Sequence, residues 1–165
     1  MKLRKAESLI LQFITASFVG WVYEIAATCL IYGRYYDRGV LHLPLCPIYG
    51  FGALGLAVLF KNVRSGPYIF LGGTIATAIF ELLSAYGLEY VFHLTLWTYE
   101  GWPLNFQNRI SLVSSMIFGI LAVIFLKCVK PGVEVFCRKS SPLKLHILVT
   151  VILLACVALE IRSYL

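Results

Sequence analysis

The sequence predicts an all-α polytopic membrane protein with about five transmembrane helices and a broken second span. Two observations carry that prediction. The 165-residue chain is 60% hydrophobic and 13% charged, roughly half the charged share of about 25% found in soluble domains. Its apolar residues also fall in long uncharged runs, giving a mean hydropathy of +0.85. The length suits one domain, read as a single transmembrane domain over residues 1–165.

The elements follow in order. A spanning helix needs about 20 mostly apolar residues. The first fits 9–32. Its basic head and apolar run look like a secretory leader, but the run is too long and no A-x-A pattern follows, so it reads as a retained span. The second, 45–61, is uncharged, but Pro44 and Pro47 break its entry. The regular part rises only about 20 Å, against a hydrocarbon core of about 30 Å. An irregular entry followed by a short helix is therefore expected. Such backbone is tolerated at membrane depth only under the cover of protein or a wet cavity. The third span covers 66–92, the fourth 110–127 and the fifth 145–163. An aromatic and amide-rich loop, "HLTLWTYEGWPLNFQNR", joins the third to the fourth. A basic linker, 127–144, joins the fourth to the fifth.

The net charge is +6. In a chain of this hydropathy the cations are expected to flank spans on the cytoplasmic side rather than bind nucleic acid. With the N-terminus inside, the inner segments hold Lys2, Arg4, Lys5, Lys61, Arg64, Lys127, Lys130, Arg138, Lys139 and Lys144. The outer segments hold Arg34, Arg38, Arg109 and Arg162. Ten against four predicts a cytoplasmic N-terminus and an outside C-terminus in a plasma membrane. The five cysteines, Cys29, Cys46, Cys128, Cys137 and Cys156, form no C-x-x-C pair. They show no metal spacing with His42, His93 or His146, so neither a metal nor a disulfide framework is expected. No cofactor is expected.

Glu24, Glu81, Glu89 and Glu160 fall within predicted spans. On the alternation above, all four come to the outer half of the membrane, level with Arg38 and Arg109. An ionisable side chain facing lipid is costly, so such residues face a bundle interior or a wet cavity. Either they fix helix packing, or they line a polar cavity open to the outer face. Glu24 is expected to meet Arg38, Arg109 or the third-span glutamates, and Arg109 to pair with Glu81 or Glu89. Glu160 is expected to stay near solvent and Arg162. Trp97, Tyr99 and Trp102 suit an interfacial aromatic belt. Ser111, Ser114 and Ser115 suit packing against a neighbouring helix.

Four stretches, "GWVYE" (20–24), "RGVLHLPLCPIYGFG" (38–52), "FELLSAYGLEYVF" (80–92) and "WTYEGWPLNFQNRISL" (97–112), together resemble one family. It is the CmpB-like ABC-transporter type IV family of small bacterial multi-pass proteins, and the resemblance covers about residues 10–125. Its pattern runs G-W-x-x-E, R-G, C-P-I-Y-G-F-G, two glutamates, W-D-Y, P-x-N and G-R-I. The matched positions are Gly20, Trp21, Glu24, Arg38, Gly39, Cys46, Pro47, Tyr49, Gly50, Gly52, Glu81, Glu89, Trp97, Tyr99, Pro103, Asn105 and Arg109. Thr98 stands where the family has Asp, Asn108 where it has Gly, and "HLP" at 42–44 where it has Gly-Pro.

The resemblance implies a transporter component. The sequence contains no G-x-x-x-x-G-K-[ST] loop, so an ATPase would be a separate chain. Membrane lipids or further copies of the chain are the other expected partners. The candidate substrate-binding set is Glu24, Arg38, Tyr49, Glu81, Glu89, Trp97, Tyr99, Asn105 and Arg109. Two other functions compete: a membrane-embedded enzyme acting on lipid headgroups, which these spacings give no nucleophile, and a non-catalytic membrane scaffold.

Overall fold

The computed structural model describes residues 2–33 and 42–163. Arg34, Arg38 and Gly39 lie outside them. The elements are α1 (Lys2–Tyr32), α2 (Pro47–Leu59), α3 (Gly66–Phe92), β1 (Asn105–Phe106), β2 (Ile110–Ser111), α4 (Leu112–Ile124), a π-helical turn (Phe125–Val129), α5 (Lys130–Lys139) and α6 (Pro142–Ser163). The chain is all-α apart from the two short strands, which pair antiparallel. Among the described residues, four helical stretches are long and apolar enough to cross a membrane: Leu3–Leu30, Gly66–Phe92, Leu112–Lys139 and Pro142–Ser163. The fifth expected span is the short helix α2, of 13 residues.

Two boundaries differ from expectation. Helix α1 begins in the basic head, because a run such as Lys2-Leu3-Arg4-Lys5-Ala6 is built of good helix formers. The basic linker is helical as far as Lys139, so the fourth span continues through it. Pro131 does not stop this helix. Proline has no N–H, and its ring clashes with the carbonyl four residues back, here that of Lys127. The helix accommodates it with the π-turn at Phe125–Val129, the usual form of a single wide turn inside a helix.

The chain divides into two compact units, Met1–Leu54 with Val129–Leu165, and Gly55–Cys128. In the first, Leu11 of α1, Cys137 of α5, and Leu145 and Val149 of α6 form the core. Glu7 of α1 faces His146 of α6 at 3.1 Å. In the second unit, α3 and α4 lie antiparallel. Leu56, Ile69 and Ala122 form the core, and glycines set the approach. A Cβ on Gly73 would sit 2.9 Å from the Ala122 Cβ, and one on Gly119 would sit 2.9 Å from the Phe70 carbonyl oxygen. Close backbone approach through small residues is how helices associate where lipid removes the hydrophobic drive. The outward side chains, among them Leu71, Ile75, Leu83, Ile120 and Val151, are exposed and apolar, as a lipid-facing surface requires.

Candidate functional site

In the first unit the site is built on one stripe of α1. Phe13, Ser17, Gly20 and Glu24 follow one another by four, three and four residues, which puts them on one helix face. The broken entry to the second span docks on that stripe. The Cys46 N–H donates to the Ser17 carbonyl at 3.0 Å. Ser17 is the middle residue of α1, so the irregular backbone reaches half the depth of the first span before α2 begins. A 13-residue helix, about 20 Å long, then suffices for the remaining half.

The Tyr49 ring lies on Gly20. A Cβ there would fall within 2.6 Å of the Tyr49 Cβ and closer still to its ring. Along that groove the Tyr49 hydroxyl reaches Glu24 and donates to Oε1 at 2.6 Å. Gly50 packs on Phe13 in the same way, and Phe51 meets the Phe13 ring edge-on at 4.9 Å. Tyr23 meets the Tyr49 ring at 6.1 Å. "GWVYE" and "CPIYG" are thus two halves of one joint. Two polar atoms on this part of α1, Trp21 Nε1 and Ser17 Oγ, are buried and have no hydrogen-bond partner among the described residues. In hydrocarbon that is costly.

In the second unit the site is the C-terminal half of α3 under the loop 93–111. The Tyr99 hydroxyl donates to Glu81 Oε1 at 2.6 Å, and Glu81 is 6% exposed. Arg109 takes Glu89 in a fork: Nε lies 3.1 Å from both carboxylate oxygens and Nη2 lies 2.5 Å from Oε2. Its guanidinium also stacks over Tyr86, 4.7 Å from the ring centre, while the Tyr86 hydroxyl bonds Gln107. Hydrogen bonding to Glu89 is the main cause that raises the Arg109 pKa above its ordinary value, against a smaller lowering by desolvation.

The loop is held by its own bonds. Trp97 Nε1 donates to the Arg109 carbonyl at 3.0 Å, the Tyr99 N–H to the Asn108 carbonyl at 2.8 Å, and Asn105 Nδ2 to the Trp102 carbonyl at 2.9 Å. Gln107 and Asn108 form a tight turn closed by the Arg109 N–H on the Phe106 carbonyl. Both have positive φ, 54° and 57°.

Of the candidate residues, Glu24 meets Tyr49, Glu81 meets Tyr99, and Glu89 meets Arg109. Asn105 and Trp97 brace the loop that carries Tyr99 and Arg109. Arg38 lies outside the described residues. Glu24 belongs to one unit and Glu81, Glu89 and Arg109 to the other, and the partner Glu24 takes is a tyrosine rather than the expected arginine or glutamate. Glu160 accepts from the His42 N–H at 3.1 Å and faces the His42 ring, not Arg162 as expected. Trp97 directs its indole N–H into the loop and Tyr99 its hydroxyl to Glu81 of α3. Ser114 and Ser115 are buried and donate back to the Ser111 carbonyl.

Sequence reasoning missed three features. Glu7, just ahead of the first predicted span, is 4% exposed and paired with His146 at 3.1 Å. The early helix start is the signal that would have included it. The notch of Gly20 for Tyr49 was also missed, as were the two atoms of α1, Trp21 Nε1 and Ser17 Oγ, without a partner among the described residues. A cluster of three or more metal-binding side chains does not occur among the described residues.

Chemically, each Tyr–Glu pair is a carboxylate with one oxygen held by a neutral donor. The second oxygen of Glu24 remains able to accept from a donor group or a cation. A family model described as "Putative ABC-transporter type IV" matches residues 11–163. No curated protein and no solved structure matches the chain.

Proposed function

Because the chain belongs to the family described as "Putative ABC-transporter type IV", we propose that it is the membrane-spanning subunit of a transport system. Its polar groups at membrane depth, foremost Glu24 with Tyr49, take the transported solute. Glu81 with Tyr99, and Glu89 with Arg109, supply further polar groups in the second unit. The energy comes from an ATPase on a separate chain, since the sequence carries no phosphate-binding loop of its own.

The observation that carries this reading is the polar imbalance around Glu24. A carboxylate whose Oε1 takes the Tyr49 hydroxyl stands three residues along α1 from a buried Trp21 N–H that has no partner among the described residues. A solute bearing both donor and acceptor groups, or the water that accompanies it, would satisfy both. A purely structural carboxylate needs no such neighbour. The broken second span supports the same reading, because half-depth backbone is tolerated where it borders a wet cavity.

A second reading, a scaffold in which the Tyr–Glu joints only fasten helices, draws support from the Tyr49 ring filling the notch at Gly20. Affinity purification from native membranes separates the two. The transport reading expects an ATPase to co-purify and its ATP hydrolysis to fall on Glu24→Gln while the complex stays assembled. If no nucleotide-hydrolysing chain co-purifies, or hydrolysis is unchanged in the variant, the scaffold reading stands instead.

A further inference from the structure

Three element ends in the first unit bring their cations to one place. Arg4, on the first turn of α1, donates through Nη2 to the Ser140 carbonyl at 2.7 Å. Ser140 directly follows Arg138 and Lys139 at the end of α5, and Lys144 lies in the first turn of α6. Lys5 stands beside Arg4. The first turns of α1 and α6 are further joined by Glu7 and His146, and their cores by Leu11, Cys137 and Leu145. Lys5, Arg138, Lys139 and Lys144 are exposed. The acidic side chain among them, Glu7, is buried and does not offset them at the surface. Glu134 is engaged by Lys130 at 2.8 Å.

We propose that this end of the first unit is a binding site for an anionic phospholipid, with the phosphate between Lys139 and Lys144 and the acyl chains along the helix sides. The choice of a lipid over a free phosphate rests on the apolar side chains interleaved with the cations. Leu3, Leu143 and Ile147 are exposed next to Arg4, Lys144 and His146, and Phe136 is exposed two residues before Arg138. A small anion gives such side chains nothing, whereas an amphiphile covers both sets at once. The place also fits. Basic groups clustered where helices enter the membrane attract acidic headgroups, and cations at the end of α5 are favoured there by the helix dipole as well.

The test is native mass spectrometry of the detergent-solubilised full chain, with added phosphatidylglycerol or phosphatidylcholine of identical acyl chains. The double variant Lys139→Gln/Lys144→Gln is compared with Lys61→Gln/Arg64→Gln, which removes equal charge elsewhere. The proposal expects preferential retention of phosphatidylglycerol. Losing two cations near an acidic headgroup should weaken that retention by roughly thirtyfold, while the control pair leaves it nearly unchanged.

Equal retention of both lipids would overturn the proposal, as would equal loss in both double variants. Displacement of the lipid by glycerol 3-phosphate at the same concentration would overturn the amphiphile assignment. If the Lys139/Lys144 variant keeps the lipid but loses a co-purifying acidic protein, the surface belongs to that protein instead. Both double variants change only exposed side chains, and circular dichroism verifies that each is folded before lipid is added.

Discussion

Glu24 has one hydrogen-bonding tyrosine and one glycine that makes room for it, and each part of that joint can be removed singly. Tyr49→Phe takes the donor from the carboxylate and keeps the ring, so the loss should be that of one hydrogen bond to a charged group, about 1.5–3 kcal/mol. Gly20→Ala places a methyl group inside the Tyr49 ring contact and should cost about 1–3 kcal/mol, as overpacking does. Glu24→Gln retains an acceptor for the tyrosine and should leave stability nearly intact. Unfolding of the three variants in nanodiscs checks this order, and an unchanged Gly20→Ala protein would mean that the tyrosine does not lie where it is described.

Two departures from the family pattern find their explanation at this same scale. Asn108 has φ of 57°, in the left-handed region that favours glycine and that asparagine tolerates. The family's Gly and this chain's Asn therefore meet one backbone demand. Asn108→Gly should be neutral, and Asn108→Val should cost about 1–3 kcal/mol. Thr98 accepts the Glu100 N–H at 3.3 Å through its hydroxyl. An aspartate makes the same local turn, so Thr98→Asp should change stability by less than about 0.5 kcal/mol. The sequence showed both positions only as departures from the pattern, because a backbone angle leaves no mark in a single chain.

At the scale of elements, the Arg109–Glu89 fork pins the loop 93–111 to α3. A cation whose folded pKa is raised contributes stability below its unfolded pKa and loses it only as the pH climbs through the folded value. For Arg109 the folded value is raised above an ordinary value that already lies far above neutral pH. The destabilisation caused by Arg109→Gln should therefore be the same at pH 7 and pH 10, and an effect that shrinks by pH 10 would contradict the pairing geometry. The α3–α4 contact makes a second prediction. Gly119→Ala drives a Cβ against the backbone carbonyl of Phe70 and should lower the melting temperature. Gly87→Ala, with nothing within 4 Å of the new methyl, should not. Overpacking of this kind costs about 1–3 kcal/mol.

Most elements were legible in the sequence, because a long apolar run in lipid has few alternatives to a helix. The short α2 was legible from Pro44 and Pro47. The linker was misread because Pro131 and the nearby cations look like a loop, whereas one wide π-turn lets the helix continue. The pairing of Arg109 with Glu89 was legible, since a charge entering a span needs a counter-charge. Tyr49 as the partner of Glu24 was not, because it depends on an irregular segment docking halfway along α1, and residue spacing carries no such information.

Taken as a whole, the chain is two compact units, each with a glutamate held by a tyrosine: the half-buried Glu24 by Tyr49 in one and the buried Glu81 by Tyr99 in the other. Every signature stretch that falls among the described residues is engaged in one of these two joints or in the loop that braces the second. That arrangement accounts for why residues far apart in sequence recur together in the family's pattern. It also sets a demand on function, because a transport role needs a solute to reach at least one of these joints.

The most direct test is the small-molecule load of the protein taken from native membranes into nanodiscs, read by mass spectrometry for the wild type, Glu24→Gln and Tyr49→Phe. The transport reading predicts a ligand on the wild type that Glu24→Gln loses while melting at nearly the same temperature. An unchanged ligand load in a folded Glu24→Gln protein would contradict it.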